Sequence, residues 1–486
     1  MLLASYSIFS LLMPREEDAP DSLLAELIRS YVPAELQEDA LALVLSIVGT
    51  PSQSTIALVV SGVFSLWSAS GYVRSFSRTA NLMYGRTEGR PIAVTWATMW
   101  LVTLVLVVGA VGAMVLTYCT GYFEDDEPGL GLFAGSLTAF AGAMLGLVTT
   151  DNMLVLYVFW EITSLLSFLL IGHRITSRHS RSAAMEALII TASGGLAMLV
   201  GIVGLGQATG SYSISALMAH PPEAGPLVTA SVVLLLVGAI TKSAMVPFHF
   251  WLPGAMAAPT PVSAYLHAAA MVKAGIYLIA RFAPAFADLD VWKWTVLLLG
   301  GPTMLLGAWR SLRQVDIKLV LAYGTVSQLG FLVLVVGHGT QDAALAGLTL
   351  LVAHALFKSS LFLSVGVIDH ATGTRDVRLL SGLRRSMPWT YWSCVLALAS
   401  MAGLPPLYGF VAKEAAIGAL QHGGPAPGDA VSTAALVVVV LGSALTFAYS
   451  ARFLLAGLGD HAPGIPGRKA ATVPTPVTRQ PVWAVA

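Results

Sequence analysis

Ionisable side chains recur inside long apolar stretches of this 486-residue chain. The charged ones are Glu161, Lys242, Lys273, Lys358 and Lys413. A charge at the centre of a bilayer costs about 2.5–3.5 kcal/mol on insertion, so such residues usually face a protein interior or water and have a function. A neutral lysine in a low-dielectric site can accept a proton, and a nearby carboxylate stabilises the charged form. We therefore expect a proton relay along these residues, with Glu161 and Lys242 as one pair.

Two histidines, His267 and His354, lie in the same apolar stretches. Their charge changes near neutral pH, so they could bridge gaps between the lysines through water. His354 and Lys358 are one turn apart on the same helical face. The alternative for a single membrane histidine is a packing residue that forms hydrogen bonds. Lysines near helix ends, Lys293 and Lys318, are expected to extend to the membrane interface.

Prolines interrupt two apolar stretches close to these lysines. Pro247 follows Lys242, and the pair Pro405 and Pro406 precedes Lys413. A proline frees a backbone carbonyl that lipid cannot satisfy, so a break of this kind lines a cavity or is buried in protein. Broken helices at matching places in two halves are typical of transporters built from inverted repeats. A simple kink is the alternative interpretation of each single proline.

The elements that position these residues are expected to be membrane-spanning helices. The chain is 56% hydrophobic and 11% charged, whereas soluble domains are about 25% charged, which excludes an ordinary soluble enzyme. Because a bilayer span needs roughly 20 apolar residues, we predict an all-α polytopic protein of about twelve transmembrane helices. The predicted spans are 53–72, 93–119, 130–149, 152–171, 184–208, 227–248, 261–281, 292–309, 318–337, 343–368, 389–420 and 431–455.

Charge and cysteine content exclude several kinds of partner. The 26 basic and 26 acidic residues cancel, so no strong basic field exists to bind nucleic acid. Cys119 and Cys394 both lie in apolar runs and form neither a disulfide framework nor a metal or redox pair. We predict no catalytic residue, metal or cofactor. The expected partners are the lipid bilayer, protons and monovalent cations.

Arginine-rich loops orient the spans after residue 120. Three arginines lie in 173–183 and four in 375–385, with Arg310 and Arg313 in the basic loop between them, whereas 209–226, 338–342 and 421–430 contain no Lys or Arg. By the positive-inside rule the basic loops are cytoplasmic. Counting back from them places the four arginines of 73–91 outside, which conflicts with the same rule.

The motifs around the charged residues resemble the large subunit of Mrp-type sodium/proton antiporters. The matching segments are 159–164 (FWEITS), 242–253, 258–267, 271–275, 354–358 and 409–414, within a similarity that runs from about 113 to 458. The family is shared with antiporter-like membrane subunits of respiratory complex I and of membrane-bound hydrogenases. The resemblance implies a proton channel in a hetero-oligomeric complex of the bacterial plasma membrane. In that channel Glu161 and Lys242 would form the amino-half pair, His267 and Lys273 the connection, and Lys358 and Lys413 the carboxyl-half path.

Residues 1 to about 110 resemble a different group, the YihY/BrkB membrane proteins, through segments 66–71 and 81–91. We therefore predict a BrkB-like fragment over 1–110, an antiporter-like domain over 111–458 and a disordered polar tail over 459–486. A join between two membrane-protein fragments inside 93–119 would explain the arginine conflict.

Three functions fit these observations. The first is a subunit of a cation/proton antiporter, with sodium as the expected cation; Lys273 and the acidic loop 125–129 favour it. The second is a proton-pumping membrane subunit of a quinone- or hydrogenase-linked oxidoreductase. The third is a truncated or chimeric, inactive membrane protein. Because the chain carries no redox or hydrolytic motif, we expect a transporter subunit rather than an enzyme.

Overall fold

The computed structural model of the chain describes residues 113–123, 127–422 and 430–459. Contacts divide the chain into two compact units. Of the described residues, the smaller unit contains 113–114 and Leu130–Gly142, and the larger one contains Val115–Gly129 and everything from Ala143 onward. The predicted span 53–72, most of 93–119, loop 73–91 and the tail 460–486 lie outside the described residues.

Helices account for nearly all regular structure in the described residues, so the predicted all-α class is confirmed. In chain order the helices are α1 Ala113–Tyr122, α2 Leu130–Thr149, α3 Met153–Ile171, α4 Arg178–Thr209, α5 Ile214–Ala219, α6 Pro226–Lys242, α7 Trp251–Gly254, α8 Thr260–Val262, α9 Lys273–Phe286, α10 Asp290–Arg313, α11 Ile317–Val336, α12 Gln341–Thr372, α13 Leu383–Ser386, α14 Pro388–Ala402, α15 Tyr408–His422 and α16 Ala430–Gly457. A π-helical turn, Ser263–Ala269, lies between α8 and α9.

Seven helical segments of the described residues are long and apolar enough to cross a membrane. They are α2, α3, α4, the segment Thr260–Phe286, α11, α12 and α16. The other three spans predicted beyond residue 120 lie on α6, on α10 and on the broken pair α14 and α15. The polytopic architecture is therefore confirmed for the described part of the chain.

Capping side chains fix the helix starts. The Asn152 side chain accepts hydrogen bonds from the backbone N–H groups of the first turn of α3, and Asp316 does the same for α11. Ser177 and Thr340 cap the long helices α4 and α12 in the same way. These residue types are preferred N-caps because a short side-chain oxygen satisfies a backbone donor that the helix leaves free.

The same local features, a long helix, a glycine of positive φ at its end and an antiparallel bridge, recur in the same order in two halves of the larger unit. Helices α4 and α12 each have 32 residues and each ends at a glycine of positive φ, Gly210 and Gly373. An antiparallel bridge follows in both halves, Asn152 with Ser213 and Asp316 with Asp376. Five of the predicted spans lie from α3 through α10, which would give α11 the direction opposite to α3. The recurring features agree with the predicted inverted repeats.

A helix broken near a proline completes each repeat. Helix α6 ends five residues before Pro247, and α14 ends three residues before Pro405. Protein groups satisfy the carbonyls freed at the two breaks: the Trp251 indole donates to Thr241 O (2.9 Å), and Lys413 Nζ donates to Ala402 O (3.1 Å). Protein groups thus satisfy these two carbonyls, as lipid could not, whereas Pro247, Pro405 and Pro406 themselves are exposed in the described structure.

Candidate functional site

The Lys242 ammonium is the best-ligated buried charge of the described residues. Lys242 is the last residue of α6 and is fully buried. Its Nζ donates to Trp160 O (2.5 Å), Thr163 Oγ1 (2.7 Å) and Ser164 Oγ (3.0 Å), all on α3. It also lies 4.5 Å from the centroid of the Trp160 ring, a cation–π distance. The three N–H donors of the ammonium are therefore all used on one helix.

Glu161 lies on the same helix, but it does not hold the ammonium. Among the described residues its Oε1 is buried and accepts no hydrogen bond, and no ion pair joins it to Lys242. The carboxylate lies against Gly195 of α4, where any β-carbon would overlap it. The two charges still interact electrostatically. The structure thus brings the predicted pair together without direct contact.

Lys273, His354 and Lys358 form a second group. Lys273 begins α9 and is 4% exposed, and its Nζ finds no partner among the described residues. Lys358 Nζ donates to Leu321 O (3.2 Å) and lies 5.8 Å from the Tyr449 ring. His354, one turn before Lys358, is fully buried with both ring nitrogens unpartnered in the described structure. The charges of both lysines act on it.

A hydrogen bond between neighbouring residues connects the two groups. Ser243, next to Lys242, donates to the carbonyl of Val272, next to Lys273 (2.8 Å). Gly275 permits this approach, because a β-carbon there would overlap backbone and side-chain oxygens of the α6 end. The structure therefore arranges Glu161, Lys242, Lys273, His354 and Lys358 in series across α3, α6, α9 and α12.

His267 lies apart from this series, beside a lysine that sequence reasoning assigned elsewhere. His267 is fully buried in the π-helical turn, its ring 6.0 Å from that of Trp251. The prediction that Lys318 extends to the interface is wrong. Lys318 is 2% exposed, its Nζ donates to Ala258 O (2.7 Å), and its charge acts on His267.

The burial of Lys318 has a physical cause. Helix α11 is buried along nearly its whole length, so a lysine in its first turn has no lipid-facing side along which to extend. The turn before α8 offers the free carbonyl of Ala258 instead. A sequence signal was present, because a helix that is apolar on every face is typically buried.

Lys413 occupies a separate place in the carboxyl-half repeat. It is 7% exposed, and its ammonium is bound to the end of α14 rather than to any of the other six predicted residues in the described structure. Its side chain passes over Gly403, whose φ is 84° and where a β-carbon would lie 2.8 Å from Lys413 Cδ. The described residues contain no cluster of three or more His, Cys, Asp or Glu side chains suited to a metal ion.

A polar cluster centred on Asp151, outside the spans, was not predicted. Asp151, between α2 and α3, accepts hydrogen bonds from the hydroxyls of Ser213 and Ser215 (2.6 Å each) and from Ser215 N (2.9 Å). Arg281 Nη2 lies 3.6 Å from Asp151 Oδ1. Burial raises the pKa of Asp151, but these hydrogen bonds and the Arg281 charge outweigh it and lower the pKa below its ordinary value. The cluster ties the loop before α3 to the loop after α4.

Two family models match the chain. The model described as NADH:quinone oxidoreductase/Mrp antiporter, TM covers residues 150–442. A second model, Virulence factor BrkB, covers residues 1–220. Both predicted resemblances are thereby confirmed, and the two matches overlap over residues 150–220.

Individual relatives agree with the first model. A probable K(+)/H(+) antiporter subunit of Rhizobium meliloti is 48% identical over 317 residues, 65% of this chain and 31% of that protein. A Na(+)/H(+) antiporter subunit of Bacillus subtilis is 49% identical over 316 residues, 62% of this chain and 39% of that protein. This chain therefore spans about a third of the length of these curated relatives.

Solved structures share the fold. A chain of the Mrp complex from Dietzia sp. DQ12-45-1b superposes with a TM-score of 0.67 at 44% identity, covering 71% of this chain and 38% of that one. A chain of the membrane-bound sulfane sulfur reductase, an archaeal respiratory membrane complex, gives a TM-score of 0.67 at 23% identity, with coverages of 80% and 76%. The second likeness concerns the fold alone.

The matched region and the charged series coincide. Residues 150–442 extend from the start of α3 into α16 and include all seven predicted pathway residues. The chain therefore belongs to the NADH:quinone oxidoreductase/Mrp antiporter family of polytopic membrane proteins.

Proposed function

We propose that the chain is a proton-conducting subunit of a cation/proton antiporter complex, with sodium as the exchanged cation. The observation that carries this proposal is the series Glu161, Lys242, Lys273, His354 and Lys358 across four helices of one unit, in which Glu161 is half-buried and the other four residues are buried. Buried ionisable groups at membrane depth are expensive and mark ion or proton paths. The relatives named as K(+)/H(+) and Na(+)/H(+) antiporter subunits support the same function.

A proton would move along the series by passing from one ionisable side chain to the next. A proton on Lys242 is stabilised by three oxygen acceptors and by the field of Glu161. The ring nitrogens of His354 and Nζ of Lys273 have no protein partner in the described structure, and buried polar groups of that kind are normally satisfied by ordered water. Water between them would complete the relay toward Lys358. His267 with Lys318, and Lys413, would extend the path at either side of the series.

The antiporter-like domain is proposed to begin with α1. Tyr118 OH donates to Leu363 O (3.2 Å), and Tyr122 OH accepts a hydrogen bond from Thr260 N (3.2 Å). These contacts attach α1 to α12 and to the start of α8, inside the larger unit. They support a domain of about 111–458. The proposed BrkB-like fragment over 1–110 lies within the 1–220 match of the BrkB family model, and a polar tail is proposed over 459–486.

Partner subunits and location follow from the same proposal. Because the relatives are named as antiporter subunits and a similar chain is part of the Mrp complex, the chain is proposed to act with further subunits of an antiporter complex in a bacterial plasma membrane. The arginine-rich loops 173–183 and 375–385 would face the cytoplasm.

Complementation tests this function. The full chain would be expressed with the remaining subunits of an Mrp operon from which the large subunit has been deleted, in a sodium-sensitive host. We expect growth in sodium and sodium-induced proton release from acidified everted vesicles. A membrane-inserted chain that restores neither would contradict the proposal and favour a truncated, inactive protein.

A redox-linked pump is the second candidate, because the matching family model is also described as NADH:quinone oxidoreductase. The same vesicles discriminate between the two. An antiporter complex gives proton movement that depends on sodium and needs no electron donor. A redox pump gives proton movement only when an electron donor is oxidised.

A further inference from the structure

We propose that Thr163 and Ser164 are positioning residues that hold the protonated Lys242 side chain away from Glu161. The Lys242 side chain must then leave these two hydroxyls before each proton transfer between Lys242 and Glu161. The inference rests on the proposed function and concerns how its first pair works. We call the three acceptor atoms, Trp160 O, Thr163 Oγ1 and Ser164 Oγ, the hydroxyl cradle.

The cradle is organised before the ammonium binds. Thr163 Oγ1 donates to Trp160 O (2.7 Å), and Ser164 Oγ donates to the same carbonyl (3.2 Å). Each hydroxyl hydrogen is therefore committed to the backbone of α3, and its lone pairs are left to face Lys242 Nζ. Both hydroxyl side chains are fully buried, so water does not compete at their surface.

The cradle matches the charged form of the lysine. An ammonium has three donors and no acceptor, and the cradle offers three acceptors at 2.5–3.0 Å from Nζ. A neutral amine has one N–H fewer and a lone pair that would face an oxygen. Proton loss therefore weakens the hold of the cradle, and the side chain is then free to move.

Glu161 belongs to α3, but its carboxylate lies against the neighbouring helix α4. Its carboxylate occupies the space above Gly195 on α4, whereas Lys242 is bound by α3 alone. An ion pair between the two would require Lys242 to break at least one bond of the cradle, because all three donors are in use. The structure thus keeps Lys242 and Glu161 apart. The hydroxyls of Thr163 and Ser164 compete with Glu161 for the Lys242 ammonium.

The other repeat lacks such a cradle. Lys358 donates to a single acceptor, Leu321 O, among the described residues, and the ring of Tyr449 is its other close neighbour. The two buried lysines are therefore held differently, and the hydroxyls of α3 account for the difference.

Matched variants test the cradle in the full chain assembled with its partner subunits. T163V/S164A removes both hydroxyls with little change in volume, whereas T163S/S164T keeps them. S167A is a second control, because Ser167 is buried on the same helix, its Oγ donates to Ser164 O (2.8 Å), and it makes no hydrogen bond with Lys242 in the described structure. If the double variant fails to assemble, S164A alone, which removes one of the two hydroxyls, is tested in its place.

Two readouts are compared. In cryo-electron microscopy maps, T163V/S164A should bring Lys242 Nζ within about 4 Å of the Glu161 carboxylate, an ion-pair distance. Because hydrogen bonds to charged groups are strong, transport should fall about tenfold or more in T163V/S164A. It should remain near the parent rate in T163S/S164T and S167A.

Either of two results would overturn the proposal: Lys242 keeps its position when both hydroxyls are absent, or T163V/S164A transports at the parent rate. A parent complex that forms and shows no sodium/proton exchange counts against the proposed function instead. The maps still decide the role of the cradle in that case.

Discussion

The carboxylate of Glu161 lies against Gly195, at a point where any larger residue on α4 would overlap its Oε1. The carboxyl-half repeat also places a charged side chain against a glycine of a neighbouring helix, but there the charge is on the second helix and the glycine on the first. There the charge, Lys358, is on α12, and Gly324 of α11 makes the space; a β-carbon at Gly324 would lie 2.9 Å from Lys358 Nζ. Each repeat thus places one charged group, half-buried Glu161 or buried Lys358, against one glycine, so the backbone packing leaves room for a charged side chain.

Gly195→Ala should impair transport without unfolding the chain. The atom that the new methyl group meets is the free end of a flexible side chain, so Glu161 can turn away, and alanine favours the helix by up to about 1 kcal/mol. We expect sodium-dependent proton flux to fall about tenfold, a loss of about 1.4 kcal/mol in transition-state stabilisation.

Gly418→Ala is the matched control for this change, because a β-carbon at Gly418 meets no atom within 4 Å. Flux should equal that of the parent in this variant. Equal flux in Gly195→Ala would show that the space above Gly195 is unimportant.

Trp251→Phe should destabilise the break after α6. The indole donates to the carbonyl of Thr241 (2.9 Å), which also accepts a longer bond from Ala244 N (3.3 Å). The variant therefore loses the shorter of two hydrogen bonds, worth about 1 kcal/mol. The thermal unfolding midpoint of the purified protein should fall. Trp392→Phe, at a tryptophan that is 52% exposed, should leave the midpoint unchanged; equal effects in both variants would argue against a structural hydrogen bond.

Asp151→Asn should reduce stability at neutral pH and not in acid. The folded-state pKa of Asp151 is lowered, so its contribution is present above the unfolded-state pKa and is lost as pH falls through the folded-state value. Because the side chain is 48% exposed, solvent screening limits the effect to about 1 kcal/mol or less.

Thermal unfolding of the parent and Asp151→Asn at pH 7 and near pH 3 measures this difference. Glu223→Gln on the exposed loop after α5 is the control. A stability difference that persists unchanged at the acidic pH would contradict the lowered pKa.

Lys318 should be inaccessible from water. In a chain whose two native cysteines are replaced, Lys318→Cys should react slowly with a membrane-impermeant maleimide, because the native side chain is 2% exposed. Arg313→Cys, at an exposed position at the end of α10 on the same side of the membrane, should react faster. Equal and rapid labelling at both positions would restore the interfacial placement of Lys318.

The spans and the charged residues were predictable from the sequence because each leaves a local signal. A run of about 20 apolar residues marks a span, and Glu161 and Lys242 stand out because charge is rare within such runs. The inverted repeat was predictable only from the prolines. Its firmest signs, the matched caps Asn152 and Asp316, become visible once the helix ends are known.

The contacts within the site were not predictable in the same way. Which acceptor binds Lys242 depends on the rotation of α3 against α6, and that rotation is set by packing between residues about 80 positions apart. The apolar character of α11 indicates that Lys318 is buried, but not which atom binds it, because the Ala258 carbonyl belongs to the turn before α8.

Proton flux through Lys242 tests the central claim most directly. Acidified everted vesicles containing the assembled complex would be given sodium, and proton release would be followed for the parent, Lys242→Ala and Lys293→Ala. The proposed relay predicts flux close to the parent in Lys293→Ala and loss of nearly all sodium-dependent flux in Lys242→Ala at equal membrane abundance. Undiminished flux in Lys242→Ala would contradict it.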